Sequence, residues 1–596
     1  MTNEKYQPTW DLDVIFSGGS GSEAFKTYLQ DIEEDINSLS EQVNKFHPSQ
    51  EQTLEADMIK LVMIMDPLMK RMRDAFAYVS CLSAQDVNDK EASLLLTKRS
   101  DIRAKMDAVQ TVWKQKLSEI DNERWVELLE TPPLNDISFY LNESRLEAKE
   151  RLSVSQEVLL NDLAVDGYHA WNHMYQSIVG KMTIPIEVEG KISDLSVGQA
   201  SNLLSNPNRS IRHKAFRALQ HEWEKNSDLI GHTLNHLAGF RLQVYKHRQW
   251  DDVLKEPLMI NRMKKATLDA MWTAITNKKQ SFVSYFEKKA SLLGLKRLSF
   301  YDLGAPLAQT NQTYTYTEGA EFIINHFRSF SPEMAEFAKK AFEKRWIEAE
   351  DRAGKRPGGF CTSFPASKQT RIFMTYSGTL SNVATLAHEL GHAYHQHVMN
   401  DLPAMNQRYA MNVAETASTL AEMIVADAAV KNAKTKEEKL FLLEDKLQRT
   451  VAFFMNIHAR FIFEERFYEE RKQGMVPVSR LNELMVEAQK EAYCEALEEY
   501  DPTFWASKLH FHITGTPFYN FPYTFGYLFS LGIYAHAIKQ GNSFEMNYIQ
   551  LLRDTGRMEV EDLATKHLQV DLTKPEFWEN GIDLCLNDLE QFLAIN

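Results

Sequence analysis

Helix breakers are too scarce in this sequence for anything but a largely helical protein. Only 24 glycines and 18 prolines interrupt 596 residues, and inside a helix they cost about 1 and about 3 kcal/mol relative to alanine. Between them, apolar residues return three and four apart. Leu61, Ile64, Met65, Leu68 and Met72 form one such stripe, the spacing that gives a helix one buried face. Residues 23 to about 180 read as long helices of this kind, with Pro132-Pro133 marking a loop. Alternation over residues 182–190, ending in Glu-Gly, predicts a short hairpin, and residues 206–210 hold enough turn formers to open the next helix. The helical pattern then resumes, apart from islands at 301–306 and 355–379. The second island carries the β-prone run 371–376 and predicts two short strands. Gly358-Gly359 within it reads as a turn, since no GK[ST] follows to make a phosphate loop. The expected fold class is therefore mainly α with a small β-sheet, and a soft boundary falls near residue 190.

With 82 acidic and 67 basic residues the net charge is −15, which argues against a nucleic-acid partner that would need a basic footprint. The apolar run 61–65 stops at Asp66 and Pro67, far short of the ~20 residues a membrane span requires. The first residues, MTNEKYQPTWDLDVIF, lack the basic-then-apolar order of a secretory signal. Cys81, Cys361, Cys494 and Cys585 lie far apart and read as free thiols in a reducing compartment. The expectation is a soluble cytoplasmic protein without membrane or nucleic-acid partners.

The run SNVATLAHELGHAYHQHV has no proline and an apolar face, so it should be helical. His388 and His392, four apart, then share one face and can present two imidazoles to one zinc ion. Glu389 lies beside that face, where it can act as general base towards a metal-activated water. Chance alone would produce such an H-E-x-x-H in roughly a few per cent of chains of this kind, so the motif needs company. A third protein ligand is required, and the predicted helix over 412–422 offers Glu415 and Glu422. Glu415 is preferred, because small neighbours (Ala414, Thr416, Ala417, Ser418) would let its helix approach the first closely. His395 and His397 read as packed or solvated residues. The segment 509–527 is crowded with histidine and tyrosine, whose N–H and O–H groups suit an oxyanion in a dry cleft. No G-x-S-x-G, Walker or Rossmann pattern competes.

Taken together, GKRPGGFC, RIFMTYSGTLSNVATLAHELGHAYH, Trp10-Asp11-Leu12, the stretch 188–216 and PFYNFPYTFGYLFS resemble the M3 family of metallopeptidases, most closely its oligoendopeptidase F group. The resemblance implies a clam-like helical shell around a deep substrate channel, with an N-terminal lobe over 1–190 and an M3-type catalytic domain over 191–596. It implies one zinc per chain, held by His388, His392 and Glu415, with Glu389 as base. His510, Tyr519 and Tyr523 best match the family's catalytic histidine and tyrosines, with His512 and Tyr527 as competitors. The 371–377 strand would hold the substrate backbone by edge pairing. The expected function is a zinc endopeptidase acting on internal bonds of short unstructured oligopeptides. The alternatives are a helical zinc carboxypeptidase or peptidyl-dipeptidase, needing a basic anchor such as Arg352, Arg356 or Arg371, and a non-catalytic peptide-binding relative.

Overall fold

The computed structural model describes residues 5–188, 191–307, 313–541 and 544–595. Helices make up 71% and strands 3%, as the scarcity of breakers requires. Three long helices, Glu23–Lys45, Leu54–Gln85 and Lys90–Ser118, open the chain. Ser22 and Asp89 cap two of them by accepting from the backbone N–H of Phe25 and Ala92. Of the predicted stripe, Leu61, Met65, Leu68 and Met72 are buried and Ile64 packs beside them. They join Phe25, Trp113 and Trp125 in a first core whose N-terminal part ends at Leu141. The second of these helices continues through Pro67, whose missing N–H leaves the Met63 carbonyl without its helical partner on a turn where Met63 is exposed.

A second, larger core runs from Tyr175 to Phe592 and also takes in Tyr6. Its spine is the 39-residue helix Arg209–His247, opened by Asn208, which accepts from Ser210 N–H. The predicted hairpin is present as β1 (Ile184–Val188) paired antiparallel with β2 (Lys191–Leu195). Its turn, Glu189-Gly190, lies outside the described residues.

The second island folds into β4 (Phe360–Phe364) and β5 (Gln369–Phe373), joined by β3 (Ile347–Glu348), in the order β3-β5-β4. β5 runs parallel to β3 and antiparallel to β4. Alternation along β5 sends Ile372 into the larger core and Phe373, with Phe364, into the first. The sheet is thus the seam between the two cores. This corrects the edge-strand expectation: β5 is central, with Ile372 and Met374 N–H bonded to Trp346 and Glu348 carbonyls at 2.9 Å. The sheet's antiparallel outer strand is β4. Two residues of β3 are too few to leave a periodic signal, yet they occupy the side of β5 that a substrate would have needed.

Among the described residues no helix is long and apolar enough to cross a membrane, and all four cysteines are free thiols.

Candidate active site

The motif helix runs Leu380–Val398, started by a capping box between Thr379 and Asn382. Val383, Leu386, Ala387, Leu390, Ala393 and Tyr394 bury one side. His388 and His392 project from another, their rings 4.9 Å apart and edge to face. The helix expected over 412–422 is broken in two, Met411–Ala414 and Thr416–Asn432, with Glu415 at the break (φ −82°, ψ 1°). There its Oε2 lies 3.3 Å from His388 Nε2 and 3.5 Å from His392 Nε2. Ser418 Oγ donates to the same oxygen at 2.8 Å.

Two glycines make this convergence possible. A Cβ on Gly391 would sit 2.5 Å from Ala417 O and 2.6 Å from Ser418 Cα. A Cβ on Gly526 would sit 3.0 Å from Asn412 O and 3.1 Å from Glu415 Cβ. The motif helix and the helix Phe521–Gln540 therefore both press against the segment around Glu415, the first at distances no side chain would allow and the second at the limit of contact.

The three ligand atoms fit a metal ion. All lie within 4.8 Å of one another, and donors on a tetrahedral zinc with ~2.0–2.1 Å bonds stand about 3.3 Å apart. Burial drives the His392 imidazole down to about 4, against the pull of Glu415, so the ring is neutral near pH 7 and its lone pair is free. His388 Nδ1 faces Glu422 Oε2 at 3.3 Å, and the other Glu422 oxygen pairs with Arg449. Glu422, the less favoured ligand candidate, thus steadies the far side of a candidate ligand histidine.

Glu389 is 7% exposed, and its Oε2 has no hydrogen-bond partner. Burial pushes its carboxyl up to about 7, with His388 opposing and Glu415 adding. The turn at Gly358 (φ +93°) brings Gly359 so near that a Cβ there would lie 3.5 Å from Glu389 Oε1.

His510, Tyr519 and Tyr523 form a ring cluster, with centroids 5.7, 6.2 and 5.6 Å apart. Burial, with Arg460 and Lys508 assisting, holds His510 at about 4, so it is a neutral N–H donor. Burial raises the Tyr523 hydroxyl, with Tyr519 and then Glu415 adding to the effect. The competitors lie in the packing. His512 is fully buried, stacked on Tyr175 at 3.8 Å with Nδ1 3.3 Å from Thr233 Oγ1. Tyr527 hydroxyl meets Thr450 at 3.0 Å and Cys585 Sγ at 3.7 Å. With Tyr523 as the candidate oxyanion donor, Tyr523→Phe is expected to lower kcat about 10²-fold. Tyr527→Phe should leave kcat within about two-fold, both read on an internally quenched peptide.

His395 is buried against Tyr409 at 4.3 Å and bonds Thr555 Oγ1 at 2.9 Å, while His397 packs beside Phe337. The expected carboxylate anchors are spoken for. Arg371 is fully buried and donates to Asp11 and Thr370 carbonyls and to Gln369. Arg352 pairs with Glu348 and Glu350, and Arg356 lies over the Phe360 ring. Sequence reasoning missed Arg449 and Ser418. Ser418 follows Glu415 by three, but that spacing looks like any helical pair.

The sequence profile of peptidase family M3 matches residues 202–584. The chain belongs to peptidase family M3. This M3 peptidase also matches an oligopeptidase F profile over residues 116–184, and membership makes it a metallopeptidase. It is 25% identical to "Oligoendopeptidase F, chromosomal" of Lactococcus lactis subsp. cremoris, over 98% of this chain and 97% of that protein. Against "Oligopeptidase PepF" of Bacillus subtilis it is 23% identical, over 99% and 88% of the two chains. The fold matches a solved structure from Chlamydophila abortus with a TM-score of 0.85 at 19% identity, over 99% of both chains. It also matches oligoendopeptidase-F from Enterococcus faecium with a TM-score of 0.68 at 18% identity, over 95% of this chain and 99% of that one. Within the described residues of this M3 peptidase, His388, His392 and Glu415 form the one group of histidine, cysteine and acidic side chains that converges as a metal requires.

Proposed function

We propose that this M3 peptidase is a zinc-dependent oligoendopeptidase that cuts internal bonds of short, unstructured peptides. The observation that carries the reading is the unbonded Glu389 oxygen standing beside the converged His388, His392 and Glu415. When bound there, zinc supplies Lewis acidity that polarises the scissile carbonyl and acidifies a water. Glu389 takes a proton at its free Oε2 and returns it to the departing amine. Tyr523, Tyr519 and His510 donate to the developing oxyanion. The substrate backbone pairs along the outer edge of β4, which leads through Gly359 to Glu389.

The N-terminal lobe, 1–190, and the catalytic domain, 191–596, enclose the peptide between them. The relatives named as oligoendopeptidases support endoproteolysis, as does the engagement of Arg371, Arg352 and Arg356 elsewhere. Four free thiols fit a cytoplasmic setting.

The test is to strip the protein of metal, restore one zinc per chain, and map by mass the cuts in quenched peptides with free and amidated C-termini. Activity should return with zinc, at internal bonds, within about two-fold for both peptide forms. Loss of cleavage on amidation would establish the carboxypeptidase or dipeptidase alternative. Peptide binding without any hydrolysis by the zinc-loaded chain would establish the non-catalytic one.

A further inference from the structure

The loop from His510 to Tyr519 carries two of the proposed oxyanion donors, yet its only regular element is the single 3-10 turn Leu509–His512. Something outside the loop must hold it. Three consecutive carbonyls are fastened by two neighbouring helices. Asn172 Nδ2 donates to His512 O at 2.8 Å, Arg241 Nη2 to Ile513 O at 3.4 Å, and Tyr168 hydroxyl to Thr514 O at 2.9 Å. His169 Nδ1 meets Thr514 Oγ1 at 2.8 Å.

The first of these helices is built for the purpose. Residues Val165–His169 form a π-helical turn between Val154–Ala164 and Ala170–Lys181, a feature that re-aims side chains within a continuing helix. Tyr168, within that turn, and Asn172 and Tyr175 beyond it fall four and three apart, on one face. All three serve the same segment, since Tyr175 stacks on His512 and donates to Ala506 O at 3.0 Å. The direction of the Tyr168 hydroxyl is set as well. Its oxygen accepts from Arg241 Nε and Nη2 at 3.0 and 2.7 Å, which leaves its single proton for the Thr514 carbonyl.

We propose that Tyr168 and Asn172 are positioning residues that clamp the His510–Tyr519 loop, so that its donors stand where the oxyanion forms. The proposal rests on the donor roles given under Proposed function. Tyr168→Phe deletes one oxygen, and Asn172→Asp deletes the donated N–H while keeping shape and the acceptor for Gln176. Each variant, as full-length zinc-loaded enzyme, is expected to keep zinc stoichiometry and KM within about two-fold and to lose about ten-fold in kcat. Affinity for a tetrahedral phosphinic peptide should fall by the same factor. In a His510→Ala background the additional loss should shrink below about two-fold, because the clamp then has less to position. Full kcat in both variants, alongside a crippled His510→Ala, would overturn the clamp and leave the donors standing. So would an undiminished loss in the His510→Ala background. Should Tyr168→Phe unfold, Asn172→Asp decides alone, since Arg241 makes no bond to Asn172. Full activity of both His510→Ala and Tyr519→Phe would remove the donor reading itself, and the clamp with it.

Discussion

Glu389→Gln binds zinc as tightly as the parent chain and loses about 10²–10⁴-fold in kcat, the range a positioned general base contributes. The amide matches the carboxylate in shape, so the close approach of Gly359 is undisturbed. Glu389 is not among the converging ligands, so the metal has no reason to leave. What disappears is an oxygen that can take a proton and give it back. The substitution carries an independent signature in stability. Burial lifts the Glu389 carboxyl from 4.5 to about 7, so the folded, metal-free chain holds that proton more tightly than the unfolded one. Stability from this group is therefore fully present below the unfolded value and is lost as pH rises through 7. Metal-free Glu389→Gln should accordingly melt higher than the parent at pH 8, with the gap closing towards pH 5. Calorimetry at the two pH values, beside zinc titration and peptide turnover, reads all three effects. Near-normal turnover would remove Glu389 from its role.

Gly391→Ala is the second large effect, and its sign is the opposite of what helix propensity alone demands. Alanine at an unobstructed interior helix position gains about 1 kcal/mol over glycine. Here the added Cβ meets backbone, Ala417 O at 2.5 Å and Ser418 Cα at 2.6 Å, and neither atom can swing aside as a side-chain tip would. The two helices must separate, at a cost of about 1–3 kcal/mol for overpacking. Ala417 and Ser418 follow Glu415 by two and three residues, so the separation draws its carboxylate from the imidazoles. Zinc affinity is expected to fall about 10–100-fold, as when a support of a metal ligand is lost, measured by chelator competition. Unchanged affinity with a raised melting temperature would show that this contact does not set the ligand's place.

The residues that were legible in advance share one property: their relations are local. His388, Glu389 and His392 occupy a single turn, and 3.6 residues per turn settles which of them can face a common point. The stripe from Leu61 to Met72 and the two strands of the second island were readable for the same reason. Choices between equivalent positions on one helix were legible only as preferences, as for Glu415 over Glu422 from its small neighbours. Glu415 and Glu422 stand seven apart, which on a continuous helix is one face. The break at Glu415 and the contacts of Gly391 and Gly526 decide which carboxylate reaches the imidazoles. Tyr523 and Tyr527 stand four apart, again one face, and only their neighbours distinguish a tyrosine beside His510 from one sealed against Thr450 and Cys585.

By itself, then, the sequence determined a helical body and a pair of imidazoles with a carboxyl beside them, because helix geometry follows from spacing and composition. Tertiary structure alone decided which strand keeps an open edge, since two residues of β3 cover the other side of β5. It alone decided that Glu422 steadies His388 rather than joining Glu415, and that the helix around Tyr168 and Asn172 grips a loop more than 300 residues further along the chain. Those outcomes depend on backbones meeting at distances that no periodicity encodes.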